Sequence, residues 1–271
     1  MKAWLWSLLL LGQLVFSARA QNDRTRIVVI AHRGNHEAAH ENTLEAIRNA
    51  IAIEADFVEL DVRRTKDGHH ILMHDPTVKR TTGVKAGVGE LTLHEIQALK
   101  ILDPSRPGIP ISRIPTIEEA LDEIGSAIGL YLDFKDGDPQ YLAAELRKRG
   151  QIKTTVVYAG MGEIAAWKAA EPSMRFIVRI PGKNRSVKGL NEFLMRNPGI
   201  VLAGPVTDYT KKLVETAHSR GSQVWPDIQN PGENARQWSN ALSLGVDGLQ
   251  TDQPSQLISY LHSRAPSRGP D

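Results

Sequence analysis

Between residues 27 and 75 the chain alternates short apolar runs with polar junctions, and several of those runs close on residues able to do chemistry. Ile27 to Ala31 is apolar and stops at His32-Arg33-Gly34. From Asn42 to Glu54, the side chains of Leu44, Ala46, Ile47, Ala50, Ile51 and Ile53 recur close to a helical period, which predicts an amphipathic helix. Phe57 to Val62 reads as a second strand carrying Glu59 and Asp61. Lys66-Asp67-Gly68 makes a tight turn, and His69 to His74 runs back. So short a connection cannot hold a crossover helix, so this piece is predicted to be the return arm of a hairpin that brings His74-Asp75 down to the same end.

Residues 76–115 break the rhythm. Thr81-Thr82-Gly83, Gly87-Val88-Gly89 and Pro104, Pro107, Pro110 and Pro115 surround one helical piece, Leu93 to Lys100, and predict a small insertion packed over the top of the fold. Alternation then resumes. Strands are predicted at Gly129 to Phe134, Thr155 to Ala159, Arg175 to Ile180, Ile200 to Ala203, Gln223 to Pro226 and Gly248 to Gln250. Helices are predicted at Thr116 to Ile124, Pro139 to Arg149, Glu163 to Ala170, Val187 to Arg196, Thr210 to Arg220, Glu233 to Leu244 and Pro254 to His262. Leaving out the hairpin arm, eight strands alternate with helices, and with right-handed crossovers that is a TIM (β/α)8 barrel. A doubly wound α/β sheet competes, but no glycine-rich phosphate fingerprint follows the first strand.

Composition alters this picture chiefly at the ends. Lys2, the apolar run Ala3 to Phe16 and Ala18-Arg19-Ala20 have the form of a secretory signal peptide cleaved before Gln21. The run is short for a transmembrane span, and no cysteine follows it for a lipid anchor. The expected organisation is a signal peptide over 1–20, one barrel domain over 21–263 and a disordered tail over 264–271, in a protein that is periplasmic or secreted. Loss of Lys2 and Arg19 takes the balance from 33 basic against 31 acidic residues to 31 against 31. A neutral mature chain offers no general attraction to nucleic acid or to an anionic membrane, so phosphate recognition must be local. With 0 cysteines, no disulfide supports the fold.

Strand spacing then decides where the chemistry lies. Glu59 and Asp61, two residues apart on a strand, point to the same side, and paired carboxylates repel unless a cation offsets them. Oxygen ligands of this kind suit Mg2+ or Ca2+. Alone, the pair reads as solvated acids at a strand end; beside His32, Arg33 and His74 it reads as a metal site. His32 and His74 are suited to proton transfer near neutral pH, with the acid and base roles open between them, and Arg33 can grip a phosphate in bidentate fashion.

His32-Arg33-Gly34, Glu41-Asn42-Thr43, Glu59-Leu60-Asp61-Val62, Thr65-Lys66-Asp67-Gly68 and His74-Asp75, in that order and close to that spacing, resemble the glycerophosphodiester phosphodiesterase family. Leu132-Asp133-Phe134-Lys135, Val224-Trp225 and Val246-Asp247-Gly248 with Thr251-Asp252 extend the resemblance more weakly over nearly the whole mature chain. It implies that Asp133 is the third metal ligand, where the family usually has Glu, and that Lys135 adds positive charge toward substrate phosphate. A rim lysine held by a salt bridge is an equal reading of Lys135. The resemblance also implies a wall of the alcohol pocket at Trp225, for which a core-rim aromatic is the rival. Glu41 is expected to orient Arg33 or a histidine, or else to complement a helix N-terminus. After Trp225, Pro226-Asp227-Ile228-Gln229-Asn230 departs from the family's usual Thr-Val-Asn, which puts the leaving-group preference in question. Asp252 is expected to close the barrel end by hydrogen bonding, and Asp75 to shape its turn or orient His74.

The activity so implied is hydrolysis of glycerophosphodiesters to glycerol 3-phosphate and an alcohol. A lysophospholipase D-type hydrolase and a barrel that binds a phosphorylated ligand without turnover are the alternatives. A phospholipase C-like barrel, which also pairs two histidines, fits the Glu59–Asp61 pair and the motif run less well.

Overall fold

A computed structural model describes residues 26–102, 106, 108–230 and 232–264. The expected signal peptide, and the tail beyond Arg264, lie outside the described residues. Val28–Ala31 (β1) pairs in parallel with Phe57–Arg64 (β2), and His70–Leu72 (β3) returns antiparallel to β2. The parallel sheet continues from β2 through Gly129–Phe134 (β4), Thr155–Tyr158 (β5), Arg175–Arg179 (β6) and Val201–Ala203 (β7). On its other side β1 pairs with Gly248–Thr251 (β8).

The expected strand at Gln223 to Pro226 does not form a regular strand, because Pro226 has no N–H to give to a ladder. The segment closes the barrel nonetheless. Toward β7, Leu202 N donates to Gln223 O at 2.9 Å, Trp225 N to Leu202 O at 2.8 Å and Asp227 N to Gly204 O at 2.9 Å. Toward β8, Asp247 N donates to Val224 O at 2.9 Å, Gln250 N to Pro226 O at 3.1 Å and Ile228 N to Gln250 O at 3.0 Å. The fold is a TIM barrel.

Helices cover the outside, and polar caps set their starts. Leu44–Ala52 (α1) begins after Thr43, whose hydroxyl accepts from Ala46 N at 3.2 Å. The insertion carries Lys79–Thr82 (α2), which sequence pattern did not indicate, and Leu93–Gln97 (α3), shorter than the expected Leu93 to Lys100. Ile117–Ile124 (α4) opens with a capping box between Thr116 and Glu119. Pro139–Lys148 (α5), Ile164–Ala170 (α6), Val187–Arg196 (α7), Lys211–Ser219 (α8) and Ala235–Ser243 (α9) follow their strands in turn. Pro254–Arg264 (α10) runs two residues beyond the expected His262, with the Arg264 guanidinium donating to the Tyr260 hydroxyl at 2.6 Å.

Alternation along the strands divides the core. Outward residues such as Val58, Leu60, Leu130 and Leu132 pack under the helices, while Ile30, Tyr131, Val156, Ile177, Val201, Ala203 and Trp225 fill the barrel. Ile71 and Met73 of the hairpin arm join Val78, Val88, Ile96, Ile101 and Ile114 in a separate core, so the insertion rides on the hairpin. Two residues beyond the inward layer come His32, Asp133, Tyr158, Arg179 and Asp227, all on the side of the mouth. That mouth is where barrel enzymes place their chemistry.

Candidate active site

The turn after β1 is shaped for close approach. Gly34 lies at φ 83°, and a Cβ there would sit 2.6 Å from the Cβ of Ala46. Arg33 and Asn42 also hold left-handed backbone angles, φ 53° and 56°, where non-glycine residues are uncommon. The two residues are joined, Asn42 N donating to Arg33 O at 2.9 Å. In return Asn42 reads Asp61: its amide donates to Asp61 Oδ2 at 2.8 Å and its carbonyl accepts from Asp61 N at 3.1 Å. The Arg33 amide donates to Glu59 Oε2 at 2.8 Å. One turn therefore orients both carboxylates of β2.

Asp133 joins them from β4, in register with Asp61. Oxygens of Glu59, Asp61 and Asp133 all lie within 4.8 Å of one another, with Glu59 and Asp61 each only 1% exposed. Burial pushes the Glu59 carboxyl well above its usual range, and the charges of Asp61 and Asp133 push it further. Burial and Asp61 likewise raise Asp133 against the pull of Lys135. The Lys135 ammonium lies 2.6 Å from Asp133 Oδ2 and 3.1 Å from Asp61 Oδ1, the latter an ion pair outside hydrogen-bonding geometry. Burial works against its charge, but Asp133 and Asp61 hold its pKa above the ordinary lysine value. Three hard oxygen donors, one of them costly to ionise alone and one left without a hydrogen bond, fit a divalent cation.

His32 and His74 flank this cluster, each held by a carboxylate through Nδ1. Parallel pairing of β1 with β8 sets Ala31 opposite Thr251, which brings His32 Nδ1 to 2.6 Å from Asp252 Oδ1. An ionised carboxylate only accepts, so Nδ1 carries the proton and Nε2, 4.0 Å from Glu59 Oε2, is left to accept. Burial lowers the pKa of His32 although Asp252 opposes it, which favours the neutral ring. Burial raises Asp252, but the His32 hydrogen bond together with the charges of His32, His36 and Arg33 holds the carboxyl below its usual range. At the other histidine, Nδ1 is 2.7 Å from Asp75 Oδ1, and Arg63 Nε donates to the His74 carbonyl at 3.0 Å.

Arg80, supplied by α2 of the insertion, links the two sides. Its Nε donates to Asp75 Oδ2 at 2.7 Å, while NH1 and NH2 clamp Glu41 at 2.8 and 2.7 Å. Glu41 in turn accepts from Arg33 NH1 at 3.0 Å. Burial alone would raise Glu41, but Arg80 and Arg33 pull it down to about 2. Arg80's hydrogen bond likewise takes Asp75 to about 2. Glu41 thus contacts Arg33 directly rather than only serving a helix terminus.

Eight of the nine singled-out residues, His32, Arg33, Glu41, Glu59, Asp61, His74, Asp133 and Lys135, converge on this mouth. Trp225 stands apart. It is 2% exposed, one layer below, with its ring 5.1 Å from that of Phe57, because inward residue 225 precedes the mouth-level position 227. Asp227 takes the rim place instead. Sequence reasoning did not find Asn42 as the partner of Asp61, or Arg80. The Asn of the Glu41-Asn42-Thr43 motif was the available signal for the first, and no local pattern marks the second.

The sequence profile of the Glycerophosphoryl diester phosphodiesterase family matches residues 32–159. A glycerophosphodiester phosphodiesterase of Caldanaerobacter subterraneus is 28% identical over 242 residues, 87% of this chain and 98% of that one. The Bacillus subtilis protein YhdW, named provisionally for the same activity, is 30% identical over 250 residues, 85% of this chain and 96% of its own length. Among solved structures, an Oleispira antarctica phosphodiesterase in complex with the product sn-glycerol-3-phosphate superposes with a TM-score of 0.72 at 22% identity, over 86% of this chain and 96% of that one. The structural likeness is one of fold.

Proposed function

The chain belongs to the glycerophosphoryl diester phosphodiesterase family, and from that premise we propose an exported, metal-dependent enzyme that cleaves glycerophosphodiesters to glycerol 3-phosphate and an alcohol. The observation that carries the reading is the meeting of three carboxylates with two carboxylate-held imidazoles at one barrel mouth. Glu59, Asp61 and Asp133 would hold the divalent cation, which when bound offsets charge on the phosphoryl oxygens. Neutral His32 takes the nucleophile's proton on Nε2, and Asp252 steadies the imidazolium that forms. His74, oriented by Asp75, gives a proton to the leaving oxygen. Arg33 and Lys135 bring positive charge to the same mouth.

The nucleophile is water or the substrate's own glycerol hydroxyl, and both routes use the same two proton transfers. Export is supported by the pattern of residues 1–20. No helix among the described residues is long and apolar enough to cross a membrane. A lysophospholipid substrate would need an alkyl groove beside the site. The insertion carries a cavity of about 390 Å³ lined by Thr77, Lys79, Lys85, Ala86, Gly87 and Glu90.

The test is release of glycerol 3-phosphate from glycerophosphocholine and glycerophosphoethanolamine, after EDTA and then with Mg2+ or Ca2+ restored. Release that returns with the metal in the wild type but not in Glu59→Ala is the expected result. Folded protein that releases nothing under any metal would overturn the assignment.

A further inference from the structure

Opposite the metal carboxylates, the barrel mouth carries a second group of polar side chains to which the hydrolysis assigns no part. Asp227 and Gln250 are bridged backbone partners, and alternation places both inward: Trp225, two residues before Asp227, and Ile30, the β1 partner of Gln250, belong to the barrel interior. The backbone N–H of Asp227 donates to Gly204 O at 2.9 Å. Among the described residues, no Lys, Arg or His nitrogen lies within ion-pairing distance of the Asp227 carboxylate. The nearby candidate, Arg179, is committed elsewhere: its Nε is 2.8 Å from Asp208 Oδ2, an acid also held by Arg185 NH1 at 2.7 Å.

Gln250 supplies the second observation. It is 7% exposed, and its side-chain oxygen is buried with no hydrogen-bond partner among the described residues. A buried acceptor left unmade costs free energy, so such a group awaits a donor. The residues that carry a half-buried carboxylate and an unpartnered amide oxygen are thus backbone neighbours, and among the described residues no Lys, Arg or His pairs with that carboxylate. Tyr158 and Tyr131, with ring centroids 6.3 Å apart, line the same interior, and both phenols lie within the field of Asp227. Outward from Asp227, a cavity of about 240 Å³ opens between the loops that follow β7 and the closing segment, lined by Pro205, Thr207, Ile228 and Gln229.

A carboxylate that lines a cavity, a buried acceptor without a partner on the adjoining strand and the lack of a Lys, Arg or His in ion-pairing range among the described residues describe a site for an organic cation. Burial and the charge of Asp133 raise Asp227 to about 6, so it is ionised at neutral pH yet in need of a counter-charge. We propose that Asp227 and Gln250 form the subsite for the leaving alcohol and select one that bears a positive charge, Asp227 answering the charge itself and Gln250 accepting from an amino N–H where the alcohol has one. This rests on the phosphodiesterase reading and adds to it the charge of the preferred substrate. An apolar residue in place of Asp227 would leave that preference without a physical basis.

The experiment compares kcat/KM for glycerophosphocholine and glycerophosphoethanolamine with that for glycerophosphoglycerol, whose leaving alcohol is neutral, in wild type and Asp227→Asn. The wild type is expected to favour the cationic diesters, and the ratio of cationic to neutral kcat/KM should fall about tenfold or more in the variant, the scale of one close charge–charge contact in a partly buried site. A ratio near one in the wild type, or one unchanged in the variant, overturns the subsite while leaving the phosphodiesterase reading intact. No turnover of any of the three diesters by folded, metal-supplied wild type overturns both. A second measurement needs no variant: choline should inhibit the wild type competitively at concentrations at least about tenfold below its neutral carbon isostere, 3,3-dimethylbutan-1-ol. Equal inhibition by the two would also refute the proposal.

Discussion

Replacing Asp252 with Asn keeps the size of the side chain and removes the charge that faces His32. The wild-type contact is short, 2.6 Å from Asp252 Oδ1 to His32 Nδ1, and it strengthens when the ring gains a proton in the transition state. A hydrogen bond to a charged group contributes about 1.5–3 kcal/mol, so its loss should lower kcat/KM by about 10- to 150-fold. An Asn can also present its amide N–H to the ring, which favours the tautomer with the proton on Nε2 and removes the acceptor needed there. The pH profile carries an independent sign. Burial lowers the pKa of His32 and Asp252 raises it, so taking away the acid lets the pKa fall further. The acidic limb of kcat/KM should therefore move to lower pH even as the plateau drops. The assay is glycerol 3-phosphate release across roughly pH 5 to 9, with circular dichroism to show that the variant is folded. A plateau within about twofold of wild type, or an acidic limb that moves to higher pH, would refute the role given to Asp252.

Two further outcomes follow from the same geometry. In Arg80→Ala, Asp75 and Glu41 lose their shared cation and His74 and Arg33 their alignment, so kcat/KM should drop by about tenfold. Because Asp75 and Glu41 are held at about 2, below their unfolded values, the stability they lend is present above pH ~4 and lost as pH falls toward 2. Thermal melts should then show a gap between variant and wild type that narrows on acidification, and a gap independent of pH would count against the linkage. Glu59→Gln should abolish metal-restored turnover yet stabilise the metal-free protein. The folded-state pKa of Glu59 is raised, so wild-type stability is fullest below the unfolded carboxylate value, about 4.3, and declines as pH rises through the folded one. Melts in EDTA should favour the variant at alkaline pH and converge at acidic pH; a variant no more stable than wild type at any pH would contradict the buried-charge argument.

How much of this was legible beforehand differs between fold and site. Gly129 to Phe134 and Val187 to Arg196 were bounded correctly from the chain alone, because a continuous apolar run of strand length and an amphipathic helix each leave a local trace. The antiparallel hairpin arm followed from the shortness of its connection, a chain-length argument that needs no tertiary information. The regular strand expected at Gln223 to Pro226 did not form, and that its segment still closes the barrel depends on the carbonyls and N–H groups of Leu202, Gly204 and Gln250, which are distant in sequence.

For the site, residue type and strand spacing were enough to select His32, Arg33, Glu59, Asp61 and His74, since alternation sets which side chains share a face, and the family resemblance added Asp133. What the sequence determined by itself was therefore the alternating barrel pattern and the chemical inventory of its mouth. Only the tertiary structure decided who holds whom. The Asp252 contact with His32 spans 220 positions, the Arg80 clamp on Glu41 spans 39, and each forms because barrel closure or the insertion's own core brings remote segments within about 3 Å. The same holds for Trp225, drawn one layer into the barrel, and for Asp227, left at the rim with no ion-pair partner among the described residues. Hydrogen bonds and desolvation act over a few ångströms of space, and no periodicity along the chain encodes that distance.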